Sequence, residues 1–361
     1  MCSPPACSPS RATESSPWAG IGSLTFATRR VYDSPLRHSG PRVSSGWLPD
    51  YAKLAQRFAN ADEFVRSPLY QVLCQAVAED ERMLRLASRS RSGQQPTFLF
   101  LAAIHYLLLE GADHELARFY PSIVGADALP PAGAGPALAS FCAAFEPELI
   151  DLLETRLVQT NAVRRSFVLR VGFAALAREE HLPVHVIEIG ASAGIHLRFD
   201  RYGYRLGDRQ FGDPASPVQI AADWPTASAT PDLDALPTLG STIGIDLNPL
   251  DASNREDRKW LEALVWPDNQ DERHLLDAAL DVVATDPPTV VPGDAIDILP
   301  QLATDLPAGE PRLTFEVATR MHMPQERRAQ LDTAVAALAQ SAPLWETSST
   351  AATTSCRWGR R

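Results

Sequence analysis

The stretch from Val184 to Tyr204, VHVIEIGASAGIHLRFDRYGY, constrains the fold more than any other part of the chain. It opens with an alternating β-branched run that ends at Glu188, as a buried parallel strand requires. Gly190 and Gly194 then bracket a loop of small residues, and a new apolar period begins at Ile195. A strand, a glycine loop and a helix start are typical of a nucleotide-binding turn, because glycine lets a ligand approach the backbone and a helix N-terminus offers unpaired N–H groups.

The glycine spacing distinguishes between classes of nucleotide. The dinucleotide fingerprint G-x-G-x-x-G fails, because Ser192 and Ile195 stand where it requires glycine. A carboxylate two residues before the first glycine instead resembles the first motif of class I S-adenosylmethionine-dependent methyltransferases, E/D-x-G-x-G-x-G. That resemblance implies that Glu188 lies near the methionine amino group of the cofactor. The residues that would pass beneath the cofactor are Gly190, Ala191, Ser192 and Gly194. A tight turn without a ligand is the alternative.

Two further acids follow predicted strands. The strand Ser241–Asp246 leads into Asn248, and this GIDLNP sequence resembles the second methyltransferase motif, in which a carboxylate accepts the ribose hydroxyls. The strand Thr289–Val291 leads to Asp294, which resembles the acid that hydrogen-bonds the adenine amino group. Each acid also has a plainer interpretation: Asp246 as the cap of a turn, and Asp294 as the N-cap of the next helix.

The fourth predicted strand, Arg312–Val317, ends just before Arg320 and His322. These two side chains are the candidates for chemistry or substrate binding, because ligands bind at the carboxyl edge of open α/β sheets. A lone loop histidine is often incidental, however. The sequence DPPT at Asp286–Thr289 resembles the D-P-P-Y motif of amino-methylating enzymes, but it precedes the third strand and ends in threonine, which predicts a loop.

The residues before the first strand have a helical period, and the last predicted helix runs from Pro147 to Glu180. It carries a polar interruption in which Asn161, Arg164 and Arg165 are speculative substrate contacts. Tyr202, close behind the glycine loop, is a fourth. The plainer interpretations are a solvated helix stripe for the first three and a core aromatic of a hairpin for Tyr202.

The chain divides into four predicted segments. Residues 1–46 are rich in Ser, Pro and Arg and are expected to be disordered, and residues 47–181 form a helical region. Residues 182–346 form a Rossmann-like domain with a hairpin insertion at 201–240. The tail, residues 347–361, has no strand signal and is expected to be disordered or frame-shifted. We therefore expect a doubly wound, mostly parallel sheet of order 3-2-1-4-5 whose C-terminal strands are missing.

Charge and composition argue against several partners. The net charge of −11 and the isoelectric point near 5.2 argue against broad binding to nucleic acid or to an anionic membrane. The five cysteines have no metal or disulfide spacing, which favours a reducing cytoplasm and predicts no metal. No apolar run reaches the length of a membrane span.

Seven motifs occur in order along the chain: SPLY at Ser67, HYLLLEG at His105, QTNAVRRS at Gln159, EIGASAGIHLRFDRYGYR at Glu188, GIDLNPLD at Gly244, EDRKWLEALVWP at Glu256 and VVPGDA at Val290. Together they resemble a single bacterial family, domain of unknown function 2332, over roughly residues 47 to 345. The resemblance implies a helical N-terminal region followed by a methyltransferase-like Rossmann domain. It also implies more C-terminal strands than this sequence signals.

Two hypotheses about function follow. The first is an S-adenosylmethionine-dependent methyltransferase acting on an unknown small molecule. The alternative is a non-catalytic nucleotide-binding or interaction protein of the same fold, including a truncated inactive copy. A nicotinamide oxidoreductase shares the ribose carboxylate but fails on the glycine spacing.

Overall fold

The structure is a computed structural model. It describes residues 50–159, 161–222, 232–317, 319–320, 323–349 and 359–360. The predicted disordered segment, residues 1–46, lies outside the described residues.

The described chain begins with a helical region. Its α-helices are α1 (Tyr51–Ala59), α2 (Pro68–Glu79), α3 (Glu81–Ala87), α4 (Pro96–Leu109), α5 (Pro121–Val124), α6 (Ala134–Ala144), α7 (Glu146–Thr155) and α8 (Ser166–Glu179). Side-chain caps fix some of their starts, since the Ser67 hydroxyl accepts from the Tyr70 N–H at 3.3 Å and Pro68 occupies the first turn. α4 is buried on most sides, as its nearly uninterrupted apolar sequence requires.

The prediction of one helix over Pro147–Glu180 is wrong. α7 ends before Arg156, which is extended with a ψ of 165°, and a 3₁₀ turn at Val163–Arg165 precedes α8. Tertiary hydrogen bonds replace the helical ones in the polar stretch between them. The Val158 N–H, for example, donates to Gln94 Oε1 at 2.8 Å. The polar interruption is therefore an extended connection between two helices.

The described residues after α8 form two sheets and four more α-helices. The strands are β1 (Val184–Ile189), β2 (Gly203–Leu206), β3 (Arg209–Gly212), β4 (Gln219–Ala222), β5 (Leu239–Asp246), β6 (Thr289–Pro292), β7 (Arg312–Val317), β8 (Leu344–Ser349) and β9 (Gly359–Arg360). The helices are α9 (Arg255–Ala263), α10 (Gln270–Thr285), α11 (Ala295–Asp305) and α12 (Gln325–Ala337).

The larger sheet has the order β6-β5-β1-β7-β8-β9, and β9 is antiparallel to β8 while the other neighbours are parallel. The fold is therefore Rossmann-like α/β, as predicted. Counted within this sheet alone, the order is 3-2-1-4-5-6, so it differs from the predicted 3-2-1-4-5 by one added edge strand.

The prediction that the C-terminal strands are missing is wrong. Leu344–Ser349 pairs with Arg312–Val317 along its whole length, and Gly359–Arg360 pairs with β8. Thr347–Ser349 are thus strand residues within the tail that was predicted to lack structure. The sequence LWETSS has little apolar alternation, so the sequence alone does not predict a strand here. The pairing with β7 is what makes this segment a strand.

Both faces of β1 are buried. Val184 and Val186 belong to a hydrophobic core shared with the helical region, whereas Ile187 and Ile189 belong to a second core shared with α11 and α12. Because side chains alternate along a strand, Glu188 lies on the same face as Val184 and Val186, toward the helical region. The sheet therefore separates two cores, and the helical region is continuous with one of them.

The hairpin insertion is a three-stranded sheet in which β2 lies between β3 and β4. β2 pairs antiparallel with β3, as a hairpin does, and parallel with β4. Tyr202 and Tyr204 are fully buried, and their hydroxyls donate to the carbonyls of Ile195 and Phe199, each at 2.6 Å. These bonds tie the insertion to the residues that follow the glycine loop.

The amino end of β7 carries a fully buried cation, Arg312. Its guanidinium donates to the carbonyls of Leu338 at 3.0 Å and Leu306 at 3.2 Å, which lie at the C-terminal ends of α12 and α11. The negative ends of two helix dipoles therefore face this charge. Burial lowers the pKa of Arg312.

His105 joins the helical region to the α/β region. It lies in α4, fully buried, with Nδ1 at 3.0 Å from the Ala263 carbonyl at the end of α9. A carbonyl oxygen only accepts hydrogen bonds, so Nδ1 carries the proton and Nε2 accepts from the Ser122 hydroxyl at 2.7 Å. Burial lowers the pKa of His105 to about 4.

This lowered pKa predicts a loss of stability in mild acid. The unfolded chain takes up a proton on His105 below about pH 6.5, whereas the folded protein does so only near pH 4. The stabilisation that His105 provides in its neutral form is therefore complete above pH 6.5. It is lost as the pH falls toward 4, by about 3 kcal/mol in total. Urea unfolding at pH 7, 5.5 and 4.5 measures this loss.

The His105→Asn variant is the matched control, because its amide nitrogen can still donate to Ala263 but does not titrate. Its free energy of unfolding should fall less steeply than that of the wild type over the same range. Equal slopes for the two proteins would show that His105 is not responsible.

Candidate functional site

The carboxyl ends of β5, β1 and β7 meet where the strand order reverses. Ligands bind at this edge in open α/β sheets. Three predicted acids reach it, with Glu188 in β1, Asp246 at the end of β5 and Asp294 two residues after β6. They share one edge because their strands are parallel and in register, with Glu188 opposite Gly244.

The glycine loop after β1 is tight. Gly190, Ser192 and Gly194 have φ angles of 91°, 55° and 76°. Of these, only Ser192 carries a side chain in the left-handed region, where non-glycine residues are uncommon. A Cβ added at Gly194 would lie 2.3 Å from Cγ of Pro288, so glycine is required by space as well as by φ. The DPPT loop, predicted to be a loop, therefore packs directly on the glycine loop.

The predicted helix start after the glycine loop is a short 3₁₀ helix. Ile195–Arg201 forms only a 3₁₀ helix, and Arg198 within it has non-helical angles. The Arg198 Nε donates to the Asp286 carbonyl at 2.7 Å, and Arg201 pairs with the Asp286 carboxylate at 3.1 Å. These bonds hold the segment against the end of α10 and explain why no longer helix forms.

Asp246 is the centre of the site. It is fully buried, and its Oδ2 accepts from the Ser192 N–H at 2.6 Å while its Oδ1 accepts from the Asn248 N–H at 2.8 Å. Hydrogen bonds from backbone N–H groups compensate the carboxylate for its lost hydration. Asp246 therefore fastens the glycine loop to the end of β5. A ribose reaches this carboxylate only after a local movement, because Asp246 has no exposed surface.

The connection between α7 and α8 brings two amides to the loop, and the segment after β5 brings a third. Asn161 Nδ2 donates to the Ser192 hydroxyl at 2.9 Å and to the Gln159 carbonyl at 2.8 Å. Gln159 Nε2 donates to the Asn248 carbonyl at 3.3 Å, and Asn248 Nδ2 donates to Gln159 Oε1 at 3.0 Å. We call Gln159, Asn161 and Asn248 the amide cluster. It joins the helical region to both predicted cofactor motifs.

Glu188 binds a histidine that the sequence did not single out. Its Oε1 lies 2.9 Å from Nδ1 of His196, and both side chains are buried. His196 Nε2 lies 3.2 Å from the Ala162 carbonyl, so this nitrogen carries a proton. The bond to Glu188 needs a further proton on Nδ1 or Oε1. The acid predicted to meet the cofactor amino group therefore meets His196 in this structure.

Asp294 is the N-cap of α11, which confirms that prediction. Its Oδ1 accepts from the Ile296 N–H at 2.9 Å. Its Oδ2 forms an ion pair with Arg327 of α12. The predicted contact with adenine would therefore place a ligand beside an acid that already binds two groups of the protein.

The four residues predicted as substrate contacts lie in different environments. Asn161 lies at the glycine loop, within the amide cluster. Arg164 forms an ion pair with Glu272 of α10 at 3.0 Å, and Arg165 is half-buried with a pKa lowered by burial. Tyr202 lies in the core with its hydroxyl bonded to Ile195, so the plainer interpretation fits it and the substrate contact does not.

The two candidates for chemistry lie beyond β7. Arg320 forms ion pairs with Glu316, the buried acid near the end of β7, and with Asp332 of α12. These contacts fix α12 to the carboxyl edge of the sheet, which is an architectural role. His322 lies outside the described residues.

Sequence reasoning missed His196 and Pro288 as parts of the site, and it named Gln159 only as a member of the polar interruption. For Gln159 a signal existed, because a run of polar residues within an apolar helical pattern is typical of buried hydrogen-bonding groups. No comparable signal marked the other two. Their contacts depend on how the loops fold against one another.

Two negative findings apply to the described residues only. No group of three or more His, Cys, Asp or Glu side chains there is arranged to hold a metal ion. None of the helices in that part of the chain has the length and apolar character to cross a bilayer.

The family model for uncharacterised proteins conserved in bacteria, domain of unknown function 2332, matches residues 52–359. This match covers well over half of the chain. The chain belongs to this family. No curated protein and no solved structure matches the chain. The match therefore identifies the family of this chain but assigns the chain no reaction.

The bond between Asn161 and Ser192 predicts an energetic coupling. Removing either side chain, in Asn161→Ala or Ser192→Ala, takes a hydrogen bond from a buried partner and costs about 1–3 kcal/mol of stability. Removing both should cost less than the sum by about 1 kcal/mol, because the shared bond is lost only once. Urea unfolding of the two single variants and the double variant measures this coupling.

The control pair combines Asn161→Ala with Ser88→Ala. The Ser88 hydroxyl donates within α3 to the Arg85 carbonyl at 2.7 Å and shares no partner with Asn161. These two losses should add to within about 0.5 kcal/mol. Full additivity in the test pair would contradict the bond.

Proposed function

We propose that this protein is an S-adenosylmethionine-dependent methyltransferase that acts on a small molecule. The observation that carries the proposal is the arrangement at the sheet edge. A glycine loop follows the central strand, and acids stand at the carboxyl ends of three adjacent parallel strands, in the order of the methyltransferase motifs.

The chemical groups at the site match those that an adenosyl ligand needs. Carboxylates suit the ribose hydroxyls and the cofactor ammonium group, and glycine permits close approach to the backbone. The conformation is closed, however, since Glu188 and Asp246 are fully buried and bond to other parts of the chain. Binding therefore requires the contacts around Ser192 to rearrange.

Under this proposal the chain's own residues bind and orient. Glu188, Asp246 and Asp294 would hold the cofactor, together with the loop residues Gly190, Ala191, Ser192 and Gly194 and with Asn248. The cofactor supplies an already activated methyl group, so alignment with the acceptor provides much of the rate. The amide cluster links that loop to the helical region, which would cover the site and exclude water.

A second candidate is a non-catalytic nucleotide-binding or interaction protein of the same fold. It is favoured by the bonds of Asp246 and Asp294, whose carboxylates serve to fasten a loop and to cap a helix. Turnover separates the two functions. Incubation with S-adenosylmethionine and the low-molecular-mass fraction of a bacterial extract yields S-adenosylhomocysteine only if the protein is a methyltransferase.

Thermal unfolding with S-adenosylmethionine, S-adenosylhomocysteine and NAD tests ligand binding first. At a hundred times the dissociation constant, a ligand adds about 2.7 kcal/mol of apparent stability. We expect both adenosyl ligands to raise the melting temperature and NAD to leave it unchanged. The Asp246→Asn variant should lose this shift. It should also start from a lower stability, by about 1–3 kcal/mol, because its amide faces a backbone N–H donor.

Arg312→Met is the control for the lost stability. Arg312 is buried at the amino end of β7, away from the candidate site, so this variant is also destabilised but should keep the ligand shift. No shift in the folded wild type would refute adenosyl binding. A shift that persists in Asp246→Asn would refute the role of Asp246.

A further inference from the structure

An open cleft of about 800 Å³ lies between the helical region and the α/β region. Its walls are α4, α7, α9 and the loop that begins at Asn248, and Gln159 of the amide cluster also lines it. This volume is within the range of small-molecule sites in proteins. The cleft is a second place where the two regions meet, and it is distinct from the three acids at the sheet edge.

The cleft has an aromatic wall that already holds a cation. The guanidinium of Arg156 lies 5.8 Å from the ring centre of Tyr106 and 5.7 Å from that of Trp260. It also lies 3.4 Å from Asp257 and 3.5 Å from Glu256, at distances longer than a close ion pair. The wall therefore accommodates a flat cation by cation–π attraction and charge, and a ligand cation would have to displace Arg156 from it.

The remaining charges around the cleft are negative. Glu148 and Asp151 of α7 also line the cleft. Among the described residues that line the cleft, Arg156 is the one cation, against the carboxylates of Glu148, Asp151, Glu256 and Asp257. One guanidinium does not balance four carboxylates, so the potential in the cleft favours a positively charged occupant and disfavours an anion.

The amide groups at its inner end add hydrogen-bonding capacity. Gln159 and Asn248 bond to each other and line the cleft. Gln159 Nε2 also lies 3.5 Å from the Ser192 hydroxyl, so the inner end of the cleft contacts the glycine loop. Apolar and aromatic side chains combined with placed polar groups can orient a small molecule.

We propose that this cleft binds a small organic cation that carries a guanidinium or ammonium group. The aromatic wall, the acids of α7 and α9 and the amide pair together form the site. This binding goes beyond the proposed function and does not depend on an adenosyl ligand.

Isothermal titration calorimetry with agmatine, at low and at physiological salt, tests the proposal. The wild type should bind agmatine saturably and more weakly at the higher salt, and it should not bind the dianion succinate. The double variant Glu148→Gln with Asp151→Asn should bind agmatine at least about tenfold more weakly, since both exposed acids lose their charge.

Glu154→Gln is the matched control. Glu154 lies on the same helix but forms an ion pair with Arg89 and does not line the cleft, so this variant should bind agmatine as the wild type does. The proposal is overturned if the wild type does not bind agmatine, if all three proteins bind it equally, or if succinate binds instead. Because no adenosyl ligand is present, these outcomes are independent of the methyltransferase test.

Discussion

The buried carboxylate of Asp246 determines how the candidate site is built. It accepts one backbone N–H from the glycine loop, at Ser192, and one from the loop after β5, at Asn248. Without it, two backbone donors would lose their acceptor, and the loop after β1 would be held less firmly to β5, to which the Gly190 N–H donates at the Ile245 carbonyl, 2.7 Å away. The loop in turn presents the Ser192 hydroxyl to Asn161, which joins the helical region to the sheet. One side chain thus connects three segments that are distant in sequence.

The helical region is part of the site rather than an appendage. It shares a hydrophobic core with one face of the sheet, and His105, Trp260 and the amide cluster bond across the junction. The closed glycine loop and the open cleft lie on two sides of Gln159. A ligand at either place would therefore act on the same set of hydrogen bonds. Under the proposed function, this arrangement would place a small molecule next to a nucleotide.

The sequence predicted the parts of the fold that depend on local pattern. The strand Arg312–Val317 and the N-cap at Asp294 follow directly from alternation and capping chemistry. The strand Leu344–Ser349 was missed because its definition comes from pairing with β7. The acids were found, but the histidine that binds Glu188 was not, since His196 reaches this acid only through a tertiary contact. Local pattern predicts which residues stand at an edge, and packing decides what they bind.

Residue-resolved hydrogen exchange at the Ser192 amide tests the central claim most directly. If Asp246 fastens the loop, this amide should be protected nearly as strongly as the core of β1 in the wild type. In Asp246→Ala it should exchange at least about tenfold faster, while the amides of β1 remain protected. A Ser192 amide that exchanges as fast as an exposed loop in the wild type, or at the same rate in both proteins, would contradict the account.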